Sequence, residues 1–222
     1  MIQGNKISLV IPCYNEADGL AAMFKKDLNT VDEIVVVDNN CTDDTTKIAR
    51  QYGCRVVEEK VKGYGAAYKA GFNAASGDII VTMDGDNTYP VEEIARLVGI
   101  LLEENLDFVS ANRLTGGRPA SMNRLNYFGN VILTIAAQIL FFRKISDSQS
   151  GMWIFRKSIF EKVKLRSDGM AMSQEIKLET IKQGCRFKEV DIPYNERLGE
   201  VKLSKWKDGI KNLTFLFYKR FF

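Results

Sequence analysis

The chain of 222 residues predicts an α/β fold, a mostly parallel sheet flanked by helices. Three observations carry that expectation. Short apolar, β-rich runs alternate with helical patterns over residues 1–112. The connections between them are short, as in successive βαβ units. The second and fourth runs end in acidic clusters, Asp38-Asn39-Asn40 and Asp84-Gly85-Asp86, where a parallel sheet delivers its chemistry. An apolar content of 45% in a chain of this length suffices for one domain, with or without an appendage.

Taken in order, Lys6–Ile11 reads as a buried strand stopped by Pro12, and Ala17–Lys26 as a helix. Glu33–Val37 is a second strand. Asp43–Tyr52 is helical with Thr42 or Asp43 as N-cap. Arg55–Glu58 is a strand, followed by a Lys- and Gly-rich loop over Lys60–Gly65 and a helix Ala66–Ala75 with a small-residue packing face. Asp78–Met83 is the next strand. Pro90 opens a helix over Val91–Glu104, and Phe108–Ala111 is a fifth strand.

Beyond these, Ser121 predicts the cap of a long helix reaching about Phe142. Asn126, Asn130, Thr134 and Gln138 form one narrow polar stripe on it, and almost everything else is apolar. The segment is short of the ~20 residues that a spanning helix needs. A buried core helix, a helix lying in a membrane interface and one docked in an oligomer all fit. Phe155–Leu165 and Ser173–Gln183 read as helices, Lys188–Pro193 as a strand and Leu203–Tyr218 as a terminal amphipathic helix.

The net charge of +3 is too small to argue for nucleic acid, but its distribution is uneven. From Arg186 to Phe222 nine Lys/Arg face five Asp/Glu, leaving the remainder at −1. That basic end also holds Trp206, Phe215, Phe217, Tyr218, Phe221 and Phe222. This composition suits an anionic surface or substrate, or an ordinary helix packed on the core. Cys13, Cys41, Cys54 and Cys185 show no metal-ligand spacing and fit reduced cytosolic thiols. The first residues do not read as a signal peptide. The count of zero histidines excludes Ser-His-Asp triads, Cys-His pairs and HExxH zinc sites. Proton transfer would fall to carboxylates, Lys, Tyr or Cys. No GxGxxG follows the first strand, which argues against a dinucleotide oxidoreductase.

Asp84 and Asp86, one residue apart across Gly85 at a strand end, can converge on one divalent cation such as Mg²⁺ or Mn²⁺. A plain Asp-Gly turn is the alternative.

The order of motifs then resembles a known family. Ile7–Glu16 is similar to the opening strand of family 2 glycosyltransferases with the GT-A fold, and Val35–Asp43 to their nucleotide-contacting second strand. Lys62-Gly63-Tyr64-Gly65, Gly71 and Ala74–Asp78 resemble the glycine-rich stretch before their DxD, which Asp84-Gly85-Asp86 matches. Ala111-Asn112-Arg113, Asp147–Gly151 with Phe155-Arg156, and Tyr194–Glu200 leading to Lys202 and Lys205 resemble the polyprenyl-phosphate (dolichyl- or undecaprenyl-phosphate) hexosyltransferase branch. The likeness runs from about Lys6 to Asp208.

The resemblance implies an inverting, metal-dependent hexosyl transfer from a nucleoside-diphosphate sugar (UDP- or GDP-hexose) to a polyprenyl phosphate. It implies residues 1–112 as the nucleotide-sugar half and 113–222 as the acceptor half of a single domain. Pro12, Tyr14, Asn15, Glu16, Asp38, Asn40, Lys62, Gly63 and Gly85 would line the donor site, with Asp84 and Asp86 on the metal. Arg113, Arg124, Arg197, Lys202 and Lys205 would supply cations for the acceptor phosphate, and Asp86, Arg113 and Arg197 would be catalytic. Asp147, Gln149, Ser150 and Glu175 would contact the sugar. Mannosyl-transferring relatives often carry a further ligand such as Gln where this chain has Thr88. A peripheral seat on the cytoplasmic face of a membrane is expected, with a homo-oligomer as a further possibility. Transfer to a hydroxyl of a polysaccharide or protein, and a non-catalytic nucleotide-sugar-binding module, are the competing readings.

Overall fold

The computed structural model describes residues 1–199 and 205–221. Along the chain it runs β1 (Ile7–Cys13), α1 (Ala17–Met23), β2 (Glu33–Asp38), α2 (Thr45–Gln51), β3 (Arg55–Glu58), α3 (Tyr64–Ala74), β4 (Ile79–Thr82), α4 (Glu93–Glu103) and β5 (Phe108–Asn112). Then come α5 (Arg124–Phe141), β6 (Trp153–Arg156), a 3₁₀ turn at Lys157–Glu161, α6 (Met172–Lys182), β7 (Phe187–Asp191) and α7 (Lys205–Phe221). The strands form one sheet ordered β3-β2-β1-β4-β6-β5-β7. β6 runs antiparallel to both β4 and β5, and the other pairs are parallel.

Alternation along the strands builds a core on each face. Ile7, Leu9 and Ile11 of β1 join Leu20, Leu97 and Leu101 under α1 and α4. Val10 joins Tyr68, Phe72, Trp153 and Phe155 under α3 and α6. Fully burying a side chain of this size stabilises the fold by roughly 1.5–3 kcal/mol. Pro12 does not stop β1, which continues to Cys13. Pro12 is the penultimate residue, in register with Val37, where a missing amide donor costs little.

One element differs in kind from expectation. The helix expected over Phe155–Leu165 is instead the strand β6 and a 3₁₀ turn. Trp153-Ile154-Phe155 is buried on both faces, Ile154 in the core under α1 and α4 and Trp153 and Phe155 in the core under α3 and α6, and such a run carries no alternation to distinguish strand from helix. Thr82 fixes its place, with its hydroxyl oxygen accepting from the Trp153 amide at 2.8 Å.

The long helix α5 is capped by Asn123, whose side chain accepts from the Asn126 amide, and not by Ser121. Its inward face is Leu133, Thr134 and Ala137, so the polar stripe is buried only at Thr134, which donates to Ser148 Oγ at 3.0 Å, while Gln138, exposed, donates to the Ile145 carbonyl. The outward face carries Leu125, Phe128, Ile132, Ile135, Ile139 and Phe142, all exposed and spaced alternately three and four residues apart. α7 packs beside α5 and leaves Ile210, Phe217, Tyr218 and Phe221 exposed. Leu216 of α7, Ala137 of α5, Ile145 and Leu178 of α6 form a small core of their own. Among the described residues no helix is long and apolar enough to cross a membrane.

Candidate active site

The sheet order places a topological switch point between β1 and β4. The chain leaves β1 toward β2 on one side and returns at β4 on the other. A crevice outside the carboxyl ends of the strands is the ligand position such sheets offer. Asp84-Gly85-Asp86 leaves β4 there, and Gly85 lies against Cys13 and Glu16 beyond the end of β1.

The two acids have different surroundings. Asp84 is half-buried, and its Oδ1 accepts from the Tyr64 hydroxyl at 3.0 Å and from Tyr68 at 3.4 Å. Burial, and after it the charge of Asp86, pushes the Asp84 carboxyl up to about 7; Tyr64, Arg197 and Arg113 pull the other way. Asp86 is 1% exposed. Its Oδ1 accepts from the Thr88 amide at 3.0 Å and the Thr88 hydroxyl at 2.6 Å, and its Oδ2 pairs with Arg197 at 2.5 Å. Burial works against the Arg197 charge, but Asp86 and Asp84 outweigh it and hold the guanidinium above its ordinary pKa. The Leu198 amide donates to the Asp86 carbonyl and the Asn195 amide to the Thr88 carbonyl, so the segment with Arg197 is strapped onto the acidic loop.

Gly151 forms the wall behind Asp84. A Cβ there would stand 2.3 Å from the Tyr64 hydroxyl and 3.2 Å from Asp84 Oδ1, so no side chain fits. Its amide donates to the Tyr89 hydroxyl at 2.6 Å, and its carbonyl accepts from Thr82 at 2.8 Å.

The ends of β1 and β2 form the other wall. Pro12 is half-buried and Tyr14 42% exposed, with the Lys62 ammonium 5.7 Å from its ring centre. Asn15 Oδ1 accepts from the Thr42 amide, and Asp38 Oδ1 from the Cys41 amide at 2.7 Å. Asn39 ties down the glycine-rich loop, donating to the Glu59 and Val61 carbonyls and accepting from Gly63. Asn40, expected on the donor, spends its amide on the Glu59 and Lys60 carbonyls instead. A Cβ on Gly63 would meet the Asp168 carbonyl at 2.1 Å, so close approach of residue 168 requires glycine there.

Four residues expected to meet sugar or phosphate, Asp147, Arg113, Glu175 and Gln149, are turned to internal partners. Asp147 is wholly buried and takes the Arg113 fork at 2.7 and 2.9 Å. Burial opposes its charge, yet Arg113 holds the carboxyl below the usual range. Arg113 is thereby committed, with Tyr194 stacked 5.2 Å from its guanidinium carbon. The Asp147 carbonyl accepts from Lys177 at 2.5 Å, and burial pulls that ammonium down to about 8. Glu175 is also wholly buried, accepting from the Arg166 and Ser167 amides and from Lys219. Gln149 joins Gln174 and Asn212 in an amide network, and Ser150 is buried with its Oγ unpaired. Arg124 is exposed at the start of α5. Lys202, like Glu200, and the side chain of Lys205 lie outside the described residues.

Residues missed in sequence were Tyr68, Tyr89, Asn39 and Lys177. Tyr64 and Tyr68, four apart on a helix otherwise lined with alanine and glycine, were a readable signal. Among the described residues no cluster of three or more His, Cys, Asp or Glu side chains is arranged to hold a metal. Two hard carboxylates, one poised to exchange its proton near neutrality, nevertheless fit a divalent cation whose remaining ligands are phosphate and water oxygens.

The chain resembles known proteins over most of its length. The sequence profile described as Glycosyl transferase family 2 matches residues 8–164. The chain is 32% identical over 206 residues to a dolichyl-phosphate hexose transferase of Haloferax volcanii, covering 91% of this chain and 89% of that one. It is 33% identical over 218 residues to the low-salt glycan biosynthesis hexosyltransferase Agl6 of the same organism, covering 95% of this chain and 52% of that one, about half its length. A dolichol-phosphate mannosyltransferase of Pyrococcus furiosus is 30% identical over 214 residues, covering 89% of this chain and 59% of its own length. Among solved structures, glucosyl-3-phosphoglycerate synthase from Mycobacterium tuberculosis in complex with Mn²⁺, uridine diphosphate and phosphoglyceric acid matches with a TM-score of 0.78. The identity is 22%, over 98% of this chain and 78% of that one. The GT-A fold expected from the sequence is the fold found.

Proposed function

This chain belongs to glycosyl transferase family 2, and we propose that it moves a hexose from a nucleoside-diphosphate sugar to the phosphate of a polyprenyl lipid, with inversion at the anomeric carbon. An oxygen of the lipid monophosphate attacks that carbon as the bond to the diphosphate breaks, and the nucleoside diphosphate departs. Asp84 and Asp86 would hold Mg²⁺ or Mn²⁺, which when bound supplies positive charge to the leaving diphosphate. The Thr88 hydroxyl is committed to Asp86, so it adds no ligand in this arrangement. Tyr64 orients the Asp84 carboxylate, and the crevice between β1 and β4 holds the donor so that attack is in line.

One observation carries the choice of acceptor. A hydroxyl acceptor needs a base, and the carboxylates best suited by position, Asp147 and Glu175, are wholly buried against Arg113 and Lys219. A phosphate oxygen is already anionic near neutrality and needs none. The names of the relatives point the same way. The outward apolar stripe of α5 suits a peripheral seat on the cytoplasmic face of a membrane. The segment just before it is close to the site: Ser121, three residues ahead of α5, donates to the Tyr194 carbonyl, one residue before the strap to Thr88. In this reading residues 1–112 bind the donor and 113–222 the lipid.

The test supplies purified protein with Mn²⁺, a panel of labelled UDP- and GDP-hexoses, and either polyprenyl phosphate or water-soluble hydroxyl acceptors. Label entering the organic phase only with the lipid phosphate is expected. Label on soluble acceptors alone refutes the lipid reading.

A further inference from the structure

Building on that reading, we propose that Arg197 is the internal counter-ion of the metal position: without a divalent cation its guanidinium neutralises Asp86, and cation entry requires it to leave. Both oxygens of Asp86 are committed, Oδ1 to the Thr88 amide and hydroxyl and Oδ2 to Arg197 at 2.5 Å. Asp86 is 1% exposed, and an unpaired carboxylate at that depth is costly, so the pair stabilises the cation-free state. The charges of Asp84 and Glu16 add to that of Asp86 at the guanidinium. Arg197 therefore sits in the negative field a divalent cation would seek.

The strap limits what moves. Backbone bonds from Asn195 and Leu198 hold the segment on both sides of Arg197, so the side chain can swing while the main chain stays. A guanidinium displaced from Asp86 needs a new anionic partner, and its planar fork matches phosphate oxygens. A nucleoside diphosphate provides them. Cation and nucleotide are thus coupled through one arginine: the cation releases Arg197, and the nucleotide receives it. Coupling of this kind is reciprocal, so each ligand tightens the other.

The expected effect runs opposite to that of losing a ligand. Free Mn²⁺, followed by its electron paramagnetic resonance signal, is titrated with wild type, Arg197→Gln and Arg197→Lys, each with and without UDP or GDP. Removing the competing charge makes Arg197→Gln bind Mn²⁺ without nucleotide about tenfold more tightly or better than wild type. Its gain on adding nucleotide shrinks. Arg197→Lys, a point charge without the fork, falls between the two. Wild-type or weaker Mn²⁺ affinity in Arg197→Gln without nucleotide overturns the proposal. Should that variant fail to fold, wild-type affinity in Arg197→Lys overturns it equally. Absence of Mn²⁺ binding in all three proteins with nucleotide refutes the metal role of Asp84 and Asp86 itself, and the proposal with it.

Discussion

Lys219 of α7 places its ammonium 2.9 Å from Glu175 and 2.8 Å from Glu179, both on α6, and so fastens the terminal helix to α6. Glu175 also holds the Arg166 and Ser167 amides. The neighbouring Asp168 carbonyl accepts from the Gly65 and Ala66 amides in the first turn of α3. Tyr64 opens that helix and touches Asp84. A short chain of polar contacts thus joins α7 to the acidic loop.

Lys219→Met leaves Glu175, 0% exposed, without its cation beside a second carboxylate. Breaking a buried pair in this way costs roughly 3–5 kcal/mol. Glu175→Gln keeps the shape and costs about 1–3 kcal/mol. Urea unfolding midpoints measure both, and unchanged midpoints would show that α7 is not anchored here.

Asp84 sets a pH dependence. Its folded pKa of about 7 lies above the unfolded value, so its contribution to stability is fully present below about pH 4 and is lost as pH rises through 7. A divalent cation offsets that loss. Mn²⁺ affinity should fall about tenfold per pH unit below 7 and level off above it, with close to one proton released per cation at pH 6. Calorimetry in buffers of different ionisation enthalpy reads the proton count directly.

Tyr64→Phe removes the hydrogen bond that lowers the Asp84 pKa. The midpoint of the Mn²⁺-affinity profile should therefore move to higher pH. Tyr68→Phe, which loses a longer contact of 3.4 Å, should move it less. An unmoved profile in Tyr64→Phe would remove Tyr64 from the site.

The outward stripe of α5 predicts selective loss of membrane binding. Phe128 and Ile132 are 60% and 59% exposed, so replacing both with serine should leave folding stability within about 0.5 kcal/mol. Cosedimentation with anionic vesicles should weaken by roughly 1–3 kcal/mol per side chain. Wild-type cosedimentation would move the membrane contact elsewhere.

Much of this was readable in the sequence. β3 matches its expected bounds, and the β/α alternation through β5 was legible because short β-rich apolar runs alternate with helical patterns across short loops. β6 was not, since its buried run passes into residues 157–165 with no Gly, Pro, Asn or Asp to mark where a strand ends. The stripe on α5 was seen, but on a helix apolar nearly all round periodicity cannot say which apolar residues meet the core and which face out. The spacing of Asp84 and Asp86 drew attention to them, and the structure sets both just past β4. Asp147 and Glu175 were assigned to substrate because a carboxylate in a motif looks the same whether its partner is a ligand or a buried cation. Only the positions of Arg113 and Lys219 separate those cases.

Single-turnover transfer reads out whether the acids after β4 carry hexose transfer to a lipid phosphate. Wild type, Asp84→Asn and Asp86→Asn are each mixed with labelled donor, Mn²⁺ and polyprenyl phosphate, and organic-phase label is followed in time. Each variant should be slower by about 10²-fold or more, the scale of losing one preorganised electrostatic contact to a leaving group. Wild-type rates in both variants would contradict the account.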